Sequence, residues 1–320
     1  MLLKLFISGL FALMVTPARY ISPQDAGASA RPEIAFASDT QAPLWMERLM
    51  LKAHNNRTAT RLIFDDIVMR QPRALFLLGD VVSWGSSGLA WRRVNRYLDS
   101  CRKHGIALYA TLGNHELMGI RGMRTKAQKI FQHQFPEFRK TGFAQVVDSI
   151  GVILLNSNFG DMSKQEDSAQ VKWFTKTLAE MDADPSIQYI ITGCHHSPFT
   201  NSRIVGPNRA VQEKFVAPFL QTRKTVLFLS GHAHAFEHFN RNKKEFMVIG
   251  GGGGVHQPLH TGERELVDLA SSYKPMFHYL AVRKNAGNLQ VVSYKLDENF
   301  KTFSPGMMLT IDQPALVEKN

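Results

Sequence analysis

The chain has 320 residues, of which 44% are hydrophobic and 20% are charged. Its only two cysteines, Cys101 and Cys194, exclude a disulfide scaffold, and we expect both to be free, buried thiols. The formal net charge of +11 predicts attraction to anionic partners, such as phosphorylated small molecules or anionic envelope surfaces. No specific nucleic acid is expected, because the basic residues are scattered and no run of them is interleaved with aromatic residues.

The first thirty residues have the pattern of an export signal. Lys4 gives a short positive start, residues 5–15 are uncharged and mostly apolar, and residues 28–30 read Ala-Ser-Ala, a suitable cleavage site. This apolar stretch is too short to span a bilayer, because a transmembrane helix needs about 20 residues. We therefore predict a signal peptide over residues 1–30 and an exported (periplasmic or secreted) mature chain without a transmembrane segment. An uncleaved amphipathic anchor is the alternative.

Residues 31–320 are predicted to form one domain, since no Pro/Ser-rich linker, internal repeat or low-complexity tract divides them. Strand-like apolar runs alternate with segments of helical periodicity up to about residue 230, and strand-like segments dominate afterwards. Residues 250–254 are all glycine, which allows either a flexible turn or a close approach to a ligand. The predicted helices are 45–69, 89–104, 170–181, 211–222 and the first part of 121–138, and the later strands are 246–249, 277–282 and 289–294.

Five of the apolar runs end at a residue type that can bind a metal ion. Loops at the carboxyl ends of strands are where open α/β sheets hold ligands, so these ends are expected to meet. Carboxylates, imidazoles and an amide oxygen suit two borderline divalent ions. The runs are 34–38, 74–78, 106–112, 187–192 and 226–230, and the residues that follow them are Asp39, Asp80, Asn114, His195 and the pair His232 and His234.

The order and spacing of these motifs over residues 33–234 resemble the calcineurin-like metallophosphoesterases, nearest the purple-acid-phosphatase-like branch. The resemblance implies an α/β fold, a four-layer αββα sandwich of two facing mixed β-sheets flanked by helices. It also implies two divalent or trivalent metal ions (Fe, Mn or Zn) and a phosphorylated small-molecule substrate. The motifs are Asp39-x-Gln41, Gly79-Asp80, Gly113-Asn114-His115-Glu116, Cys194-His195-His196-Ser197-Pro198 and Gly231-His232-Ala233-His234.

The resemblance also implies a role for each matching residue. Asp39 and His234 become ligands of the first metal, and Asp80 bridges both metals. His115 faces the substrate and assists the leaving group, while Glu116 orients a neighbour. The ligands of the second metal are Asn114, His195 and His232.

The implied reaction is hydrolysis of phosphate monoesters by a hydroxide that the metals hold. The alternatives are a phosphodiesterase or exported nuclease on the same metal core, and a non-catalytic metal-bound envelope protein. Segments 84–91 and 200–209 are expected to rim the pocket, where Arg203 or Arg209 could bind a phosphate.

Two positions depart from the family pattern. Position 41 is glutamine where the family usually has histidine, so Gln41 either coordinates the first metal through its amide oxygen or hydrogen-bonds a metal-bound water. Position 83 is serine where the purple branch has a tyrosine ligand, so a colourless protein is expected.

The doublet His195-His196 leaves two alignments open. The end of the preceding strand favours His195 as the ligand, with His196 lining the pocket near the phosphate. The His-x-Pro spacing selects His196 instead.

Overall fold

Short apolar segments form the central strands of two six-stranded sheets in the computed structural model, which describes residues 32–262 and 265–314. The predicted signal peptide lies outside these ranges. In chain order the strands are β1 (Ile34–Ala37), β2 (Ala74–Leu77), β3 (Ala107–Ala110), β4 (Phe143–Val147), β5 (Ile150–Leu155), β6 (Tyr189–Cys194), β7 (Thr225–Ser230), β8 (Phe236–Arg241), β9 (Lys244–Ile249), β10 (His278–Asn285), β11 (Asn288–Leu296) and β12 (Phe303–Asp312).

The helices lie mainly between the parallel strands, as crossover connections require. A π-helical turn over Gln212–Val216 joins the last two helical segments. Over residues 32–262 and 265–314, no helix is both long and apolar enough to cross a membrane. The α-helices are α1 (Trp45–Met50), α2 (Asn56–Arg70), α3 (Gly88–Lys103), α4 (Arg121–Gln134), α5 (Lys164–Ala183), α6 (Arg209–Val211) and α7 (Ala217–Gln221).

Both sheets are mixed. The first has the order β12-β11-β10-β1-β2-β3, and the second has the order β4-β5-β6-β7-β9-β8. In the first sheet, β1 pairs in parallel with β2 and antiparallel with β10. In the second, β5, β6, β7 and β9 are parallel, and β4 and β8 are antiparallel edge strands. All the strand ends that carry predicted ligands therefore belong to parallel strands.

Three apolar layers hold the two sheets and their helices together. Residues between the sheets, such as Phe36 and Leu229, are fully buried. A second layer lies under α2, α3 and α4, where Leu98 is buried against the outer face of the first sheet. A third layer includes Phe174 and Phe219 under α5 and α7. This four-layer αββα arrangement confirms the predicted fold class. Both Cys101 and Cys194 are free and buried, as expected.

The structure differs from the predicted elements where turns carry no glycine signal. The segment 45–69 is two helices, because Asn55 adopts a left-handed conformation (φ 49°) before α2. The hairpins β4–β5 and β8–β9 turn through pairs with positive φ, Asp148-Ser149 and Asn242-Lys243, in place of the Asn-Gly or Asp-Gly pair that usually marks such turns. Strand β12 was not predicted, and it contains Pro305 at a sheet edge, where proline is tolerated.

Candidate metal centre

The carboxyl ends of five parallel strands from the two sheets meet at one place. The loops after β1, β2 and β3 bring the carboxylate and amide side chains together with His115, and the loops after β6 and β7 bring the other imidazoles. The parallel register explains the convergence, because neighbouring parallel strands end at the same edge of a sheet. The side chains are Asp39, Gln41, Asp80, Asn114, His115 and Glu116 from the first sheet, and His195, His196, His232 and His234 from the second.

Two overlapping groups of side chains could each hold a metal ion. Asp80 belongs to both groups, and within each group the potential ligand atoms lie within 4.8 Å of one another. A carboxylate shared in this way suits two cations that lie close together, because it offsets their repulsion. The first group is Asp39, Asp80 and His234, and the second is Asp80, His195 and His232.

In two of the imidazoles, Nδ1 forms a hydrogen bond with a backbone carbonyl oxygen. His195 Nδ1 lies 3.0 Å from the Leu78 carbonyl oxygen, and His234 Nδ1 lies 2.8 Å from that of Val255. Donation from Nδ1 leaves Nε2 with its lone pair directed at the group, as in metal-ligating histidines. His195 Nε2 lies 3.3 Å from Asp80 Oδ2. The donor set therefore fits a metal ion at both groups.

Asn114 joins the second group through its side-chain oxygen, since Asn114 Oδ1 lies 3.0 Å from His195 Nε2. Of the two adjacent histidines, only His195 belongs to a candidate metal group. His196 Nδ1 instead lies 2.8 Å from Ser157 Oγ, and its ring centroid lies 4.4 Å from that of His232. His196 therefore borders the second group from the side.

Three of the candidate ligands have left-handed backbone conformations. The φ angles of Asp39, Asp80 and His232 are 58°, 50° and 66°. Such a residue other than glycine costs about 1–3 kcal/mol, and the cost is characteristic of functional sites. Side-chain hydrogen bonds offset it, because Asp39 Oδ2 accepts the His232 N–H at 3.0 Å and Asp80 Oδ1 accepts the His115 N–H at 2.8 Å.

Two glycine segments permit this close packing. A Cβ on Gly113 would lie 2.1 Å from Asp80 Oδ1, so a side chain there would displace the shared carboxylate. In the glycine run 250–254, the Gly254 N–H donates to the Asp39 carbonyl at 2.9 Å, and a Cβ on Gly254 would lie 2.5 Å from the His234 ring. The run therefore packs directly against the first group and holds it in place.

Glu116 is fully buried and links two of the loops. Its carboxylate accepts the backbone N–H groups of Asp80 (2.9 Å), Val82 (3.0 Å) and Gly113 (2.7 Å). Burial, and then the charge of Asp80, raise the pKa of Glu116 to about 7. Glu116 thus positions the loops around Asp80 and does not reach the pocket.

The buried carboxylates and imidazoles shift one another's pKa values. Burial alone would raise the pKa of Asp80, but the charges of His195 and His115 outweigh it and hold the pKa below its ordinary value. Burial opposes protonation of His195, yet Asp80 raises its pKa to about 9. The pKa of His196 falls to about 3, first through burial and then through the charge of His195. A cation among these carboxylates would replace the His195 proton in neutralising them.

His115 lies beside the shared carboxylate without joining either group. His115 Nε2 is 3.8 Å from Asp80 Oδ2, and His115 Nδ1 is 3.4 Å from the Ser83 carbonyl oxygen. The side chain keeps 11% of its surface exposed, so one edge of the ring reaches solvent.

The hydrogen-bond network assigns the orientation of the Gln41 amide. In that orientation the Gln41 nitrogen donates to the carbonyl oxygens of Asp39 and Asp80, both at 2.9 Å. The Gln41 oxygen then takes the position 3.3 Å from His234 Nε2. The amide oxygen therefore faces the first group, as either a ligand or a hydrogen-bond acceptor requires.

Of the two arginines that could bind a phosphate, Arg209 forms an exposed ion pair with Glu213 at 2.6 Å, and the role stays a prediction for both. Two polar residues near the site were not predicted. Ser157 and Asn158 follow β5 and support His196 and the Leu112 carbonyl. The sequence signal for them is the apolar run 150–155, which is followed by Asn-Ser-Asn.

A family model described as calcineurin-like phosphoesterase matches residues 32–236. The search of curated proteins found no relative of similar sequence. Among solved structures, the purple acid phosphatase PPD1 from yellow lupin (Lupinus luteus) seeds has a TM-score of 0.66 and 13% identity, over 87% of this chain and 53% of that one. The chain thus spans about half the length of the lupin protein.

Two further solved structures share the fold over most of both chains. GAP50, described as the anchor in the inner membrane complex of Plasmodium, has a TM-score of 0.61 and 13% identity, over 89% of each chain. A dimetal phosphatase from Danio rerio has a TM-score of 0.55 and 13% identity, over 88% of this chain and 99% of that one. At this identity, the three structures show a common fold.

Proposed function

Because the chain belongs to the calcineurin-like phosphoesterase family, we propose that it is a two-metal hydrolase of phosphate monoesters, acid-phosphatase-like in specificity. The observation that carries this proposal is Asp80, which belongs to two metal-binding groups and also lies 3.8 Å from His115. A metal site that served only to stabilise the fold would not need an imidazole beside its shared ligand.

The donor chemistry supports one ion in each group. Asp39, His234 and the Gln41 oxygen would hold the first ion, and Asp80 would be shared. When bound, such ions polarise a phosphoryl oxygen and make water nucleophilic near neutral pH. The second ion would be held by Asn114, His195 and His232.

Side chains of the protein would donate the proton to the leaving group and contact the phosphate. His115, with its ring held near the Ser83 carbonyl, would give a proton from Nε2 to the departing alcohol oxygen. His115 Nε2 lies 3.8 Å from Asp80 Oδ2, which places the imidazole beside the shared carboxylate. His196 lies against His232 and would contact the bound phosphate group, while Glu116 keeps the loops in position.

An enzyme assay tests the proposal directly. The purified protein, stripped with a chelator and reloaded with Mn²⁺, Zn²⁺ or Fe²⁺, should hydrolyse 4-nitrophenyl phosphate with a higher kcat/KM than bis(4-nitrophenyl) phosphate. Asp80→Asn should lose both activities and both ions. Preference for the diester would favour a phosphodiesterase, and release of nucleotides from DNA or RNA would favour a nuclease.

A protein that binds two metals but turns over no ester would support the non-catalytic alternative. The fold is compatible with that outcome, since GAP50 is described as an anchor. The presence of His115 argues against the non-catalytic alternative, because the proposed hydrolysis uses that imidazole and metal binding does not. The matched test is His115→Ala, which should keep both ions and lose most activity on the monoester.

We also propose export of the mature chain, supported by the signal-like pattern of residues 1–30. Amino-terminal sequencing of the protein recovered outside the cytoplasm should begin near Arg31. A full-length chain retained on membranes would favour the uncleaved anchor instead.

A further inference from the structure

Two arginines that have no acidic partner in the described part of the chain share a small cavity beside the loops of the candidate metal centre. We call this cavity the arginine notch. Its enclosed volume of about 20 Å³ holds one water molecule. A larger anion would therefore sit at its mouth, next to the two arginines that line it. The polar and aromatic residues that line the notch are Thr40, Arg57, Thr60, Ser83, Arg93 and Tyr97, and four aliphatic residues complete the lining.

The two arginines come from helices that pack against each other. Arg57 lies in the first turn of α2, and Arg93 lies in the second turn of α3. The Phe64 and Tyr97 rings stack between these helices, with centroids 5.3 Å apart. The backbone positions from which the two arginines extend are thus set by a packed helix pair and not by a loose loop.

The charges of the notch have no counterion within residues 32–262 and 265–314. No carboxylate in these ranges forms an ion pair with Arg57 or Arg93. By contrast, three of the five other arginines of α2 and α3 have acidic partners at 2.8–2.9 Å, and the remaining two, Arg92 and Arg96, are exposed. The three pairs are Arg61 with Asp65, Arg70 with Asp66 and Arg102 with Asp99.

The proximity of like charges is also visible in the pKa of Arg57. The charge of Arg93 lowers it below the ordinary value, and burial and the charge of Arg48 add to the effect. Positive charges held near one another attract an anion, because an anion relieves their repulsion while accepting hydrogen bonds from both.

The notch adjoins the reactive part of the site. Thr40 lies between Asp39 and Gln41, and its hydroxyl donates to the Val81 carbonyl at 3.3 Å. Ser83 lines the notch, and its carbonyl oxygen lies 3.4 Å from His115 Nδ1. Since His115 and the notch share Ser83 as a neighbour, the notch lies on the His115 side of the candidate metal groups.

We propose that Arg57 and Arg93 form a subsite for a second oxyanion, a carboxylate or phosphate carried on the leaving-group side of the ester. This inference rests on the proposed function, because it uses His115 to define the leaving-group side. The preferred substrates are then monoesters whose alcohol portion is itself anionic.

A substrate pair isolates the subsite. The kcat/KM for 3-carboxyphenyl phosphate should exceed that for phenyl phosphate about tenfold at low salt, and 1,3-phenylene bisphosphate should be preferred similarly. In the double variant Arg57→Gln/Arg93→Gln this selectivity ratio should fall about tenfold, which is the effect of one charge-assisted contact. The single variants should each lose part of the ratio.

The control is a double variant that also removes two positive charges, both of them from helix α3. Arg92→Gln/Arg96→Gln alters two exposed arginines of α3 that do not line the notch. It should leave the selectivity ratio within twofold of the natural protein. An equal fall in both double variants would overturn the subsite, because long-range attraction would then explain the preference.

A binding measurement separates this inference from the proposed function. By calorimetry, 3-carboxybenzylphosphonate should bind the metal-loaded protein about tenfold more tightly than benzylphosphonate, and Arg57→Gln/Arg93→Gln should remove the difference. Turnover of both esters with an unchanged ratio would overturn the subsite and leave the phosphoesterase proposal intact. If no ester is hydrolysed, the phosphoesterase proposal fails, and equal binding of the two phosphonates would overturn the subsite as well.

Discussion

The three backbone hydrogen bonds of Glu116 give the clearest quantitative prediction. Glu116 accepts the N–H groups of Asp80, Val82 and Gly113 at 2.9, 3.0 and 2.7 Å. In Glu116→Gln, one side-chain oxygen becomes an NH₂ group, so at least one of these buried donors loses its acceptor. One unpaired buried donor costs about 1–3 kcal/mol. We therefore expect the free energy of unfolding to fall by about 1–3 kcal/mol.

The same substitution should weaken metal binding, because two of the three amides belong to Asp80 and to the residue before Asn114. Outer residues that orient metal ligands typically contribute about 10–100-fold in affinity. Glu116→Ala would leave three donors unpaired and cost about 3–9 kcal/mol. That is a large part of an ordinary stability of about 5–15 kcal/mol, so the glutamine variant is the informative one.

Urea unfolding of the chelator-treated protein measures the first effect, and calorimetric titration with Mn²⁺ measures the second. Glu166→Gln is the matched control, because Glu166 accepts the Ser163 N–H at 2.7 Å in an exposed capping box of α5. The control should lose less stability and keep its metal affinity. If Glu116→Gln matched the natural protein in both measurements, the role assigned to these hydrogen bonds would be wrong.

Four further predictions concern single side chains. His195→Ala should lose one metal ion by elemental analysis, whereas His196→Ala should keep both ions and lose rate; the opposite pattern would assign the ligand to His196. Gln41→Ala should weaken the first site for Mn²⁺, and Gln41→His should shift its preference towards Zn²⁺, both read by competitive metal binding; unchanged affinities would place Gln41 outside the coordination sphere. Burial raises the pKa of Glu237 to about 7, above its unfolded value, so its contribution to stability is complete below about pH 4.5 and is lost as pH rises through 7. Glu237→Gln should flatten that part of the pH–stability curve, by at most about 3 kcal/mol, and an unaltered curve would refute the shift. With Ser83 in place of a tyrosine, the iron-loaded protein should show no intense visible band, and a strong purple absorption would contradict this.

The strand ends could be predicted because each buried apolar run stops at a polar residue of a distinctive type. Asp39, Asp80 and His195 are each within three residues of such an end, and parallel strands bring their ends together. The predicted meeting of distant segments is what the structure shows, although the metal roles of these residues stay a prediction. The left-handed backbone of Asp39 and Asp80 had no signal, because the flanking contacts that stabilise it come from loops far along the chain.

The arginine notch could not be predicted from the sequence either. Arg57 and Arg93 are 36 positions apart, and each fits the periodicity of an ordinary solvent-facing helix position. Only the packing of α2 on α3 brings them together, and only the absence of a described carboxylate partner distinguishes them from Arg61. By comparison, Arg203 and Arg209 belong to segment 200–209, which the sequence predicts to rim the pocket.

The division of the candidate ligands between the sheets has a mechanical consequence. Oxygen donors come from one layer and nitrogen donors from the other, so neither layer alone offers a complete coordination sphere. Ions bound between the two sheets would link them. At a free-ion concentration about 1,000 times the dissociation constant, binding would raise the free energy of unfolding by about 4 kcal/mol. Removal of the metal ions should therefore lower the stability of the protein as well as its activity, and the two sheets should separate first at this edge.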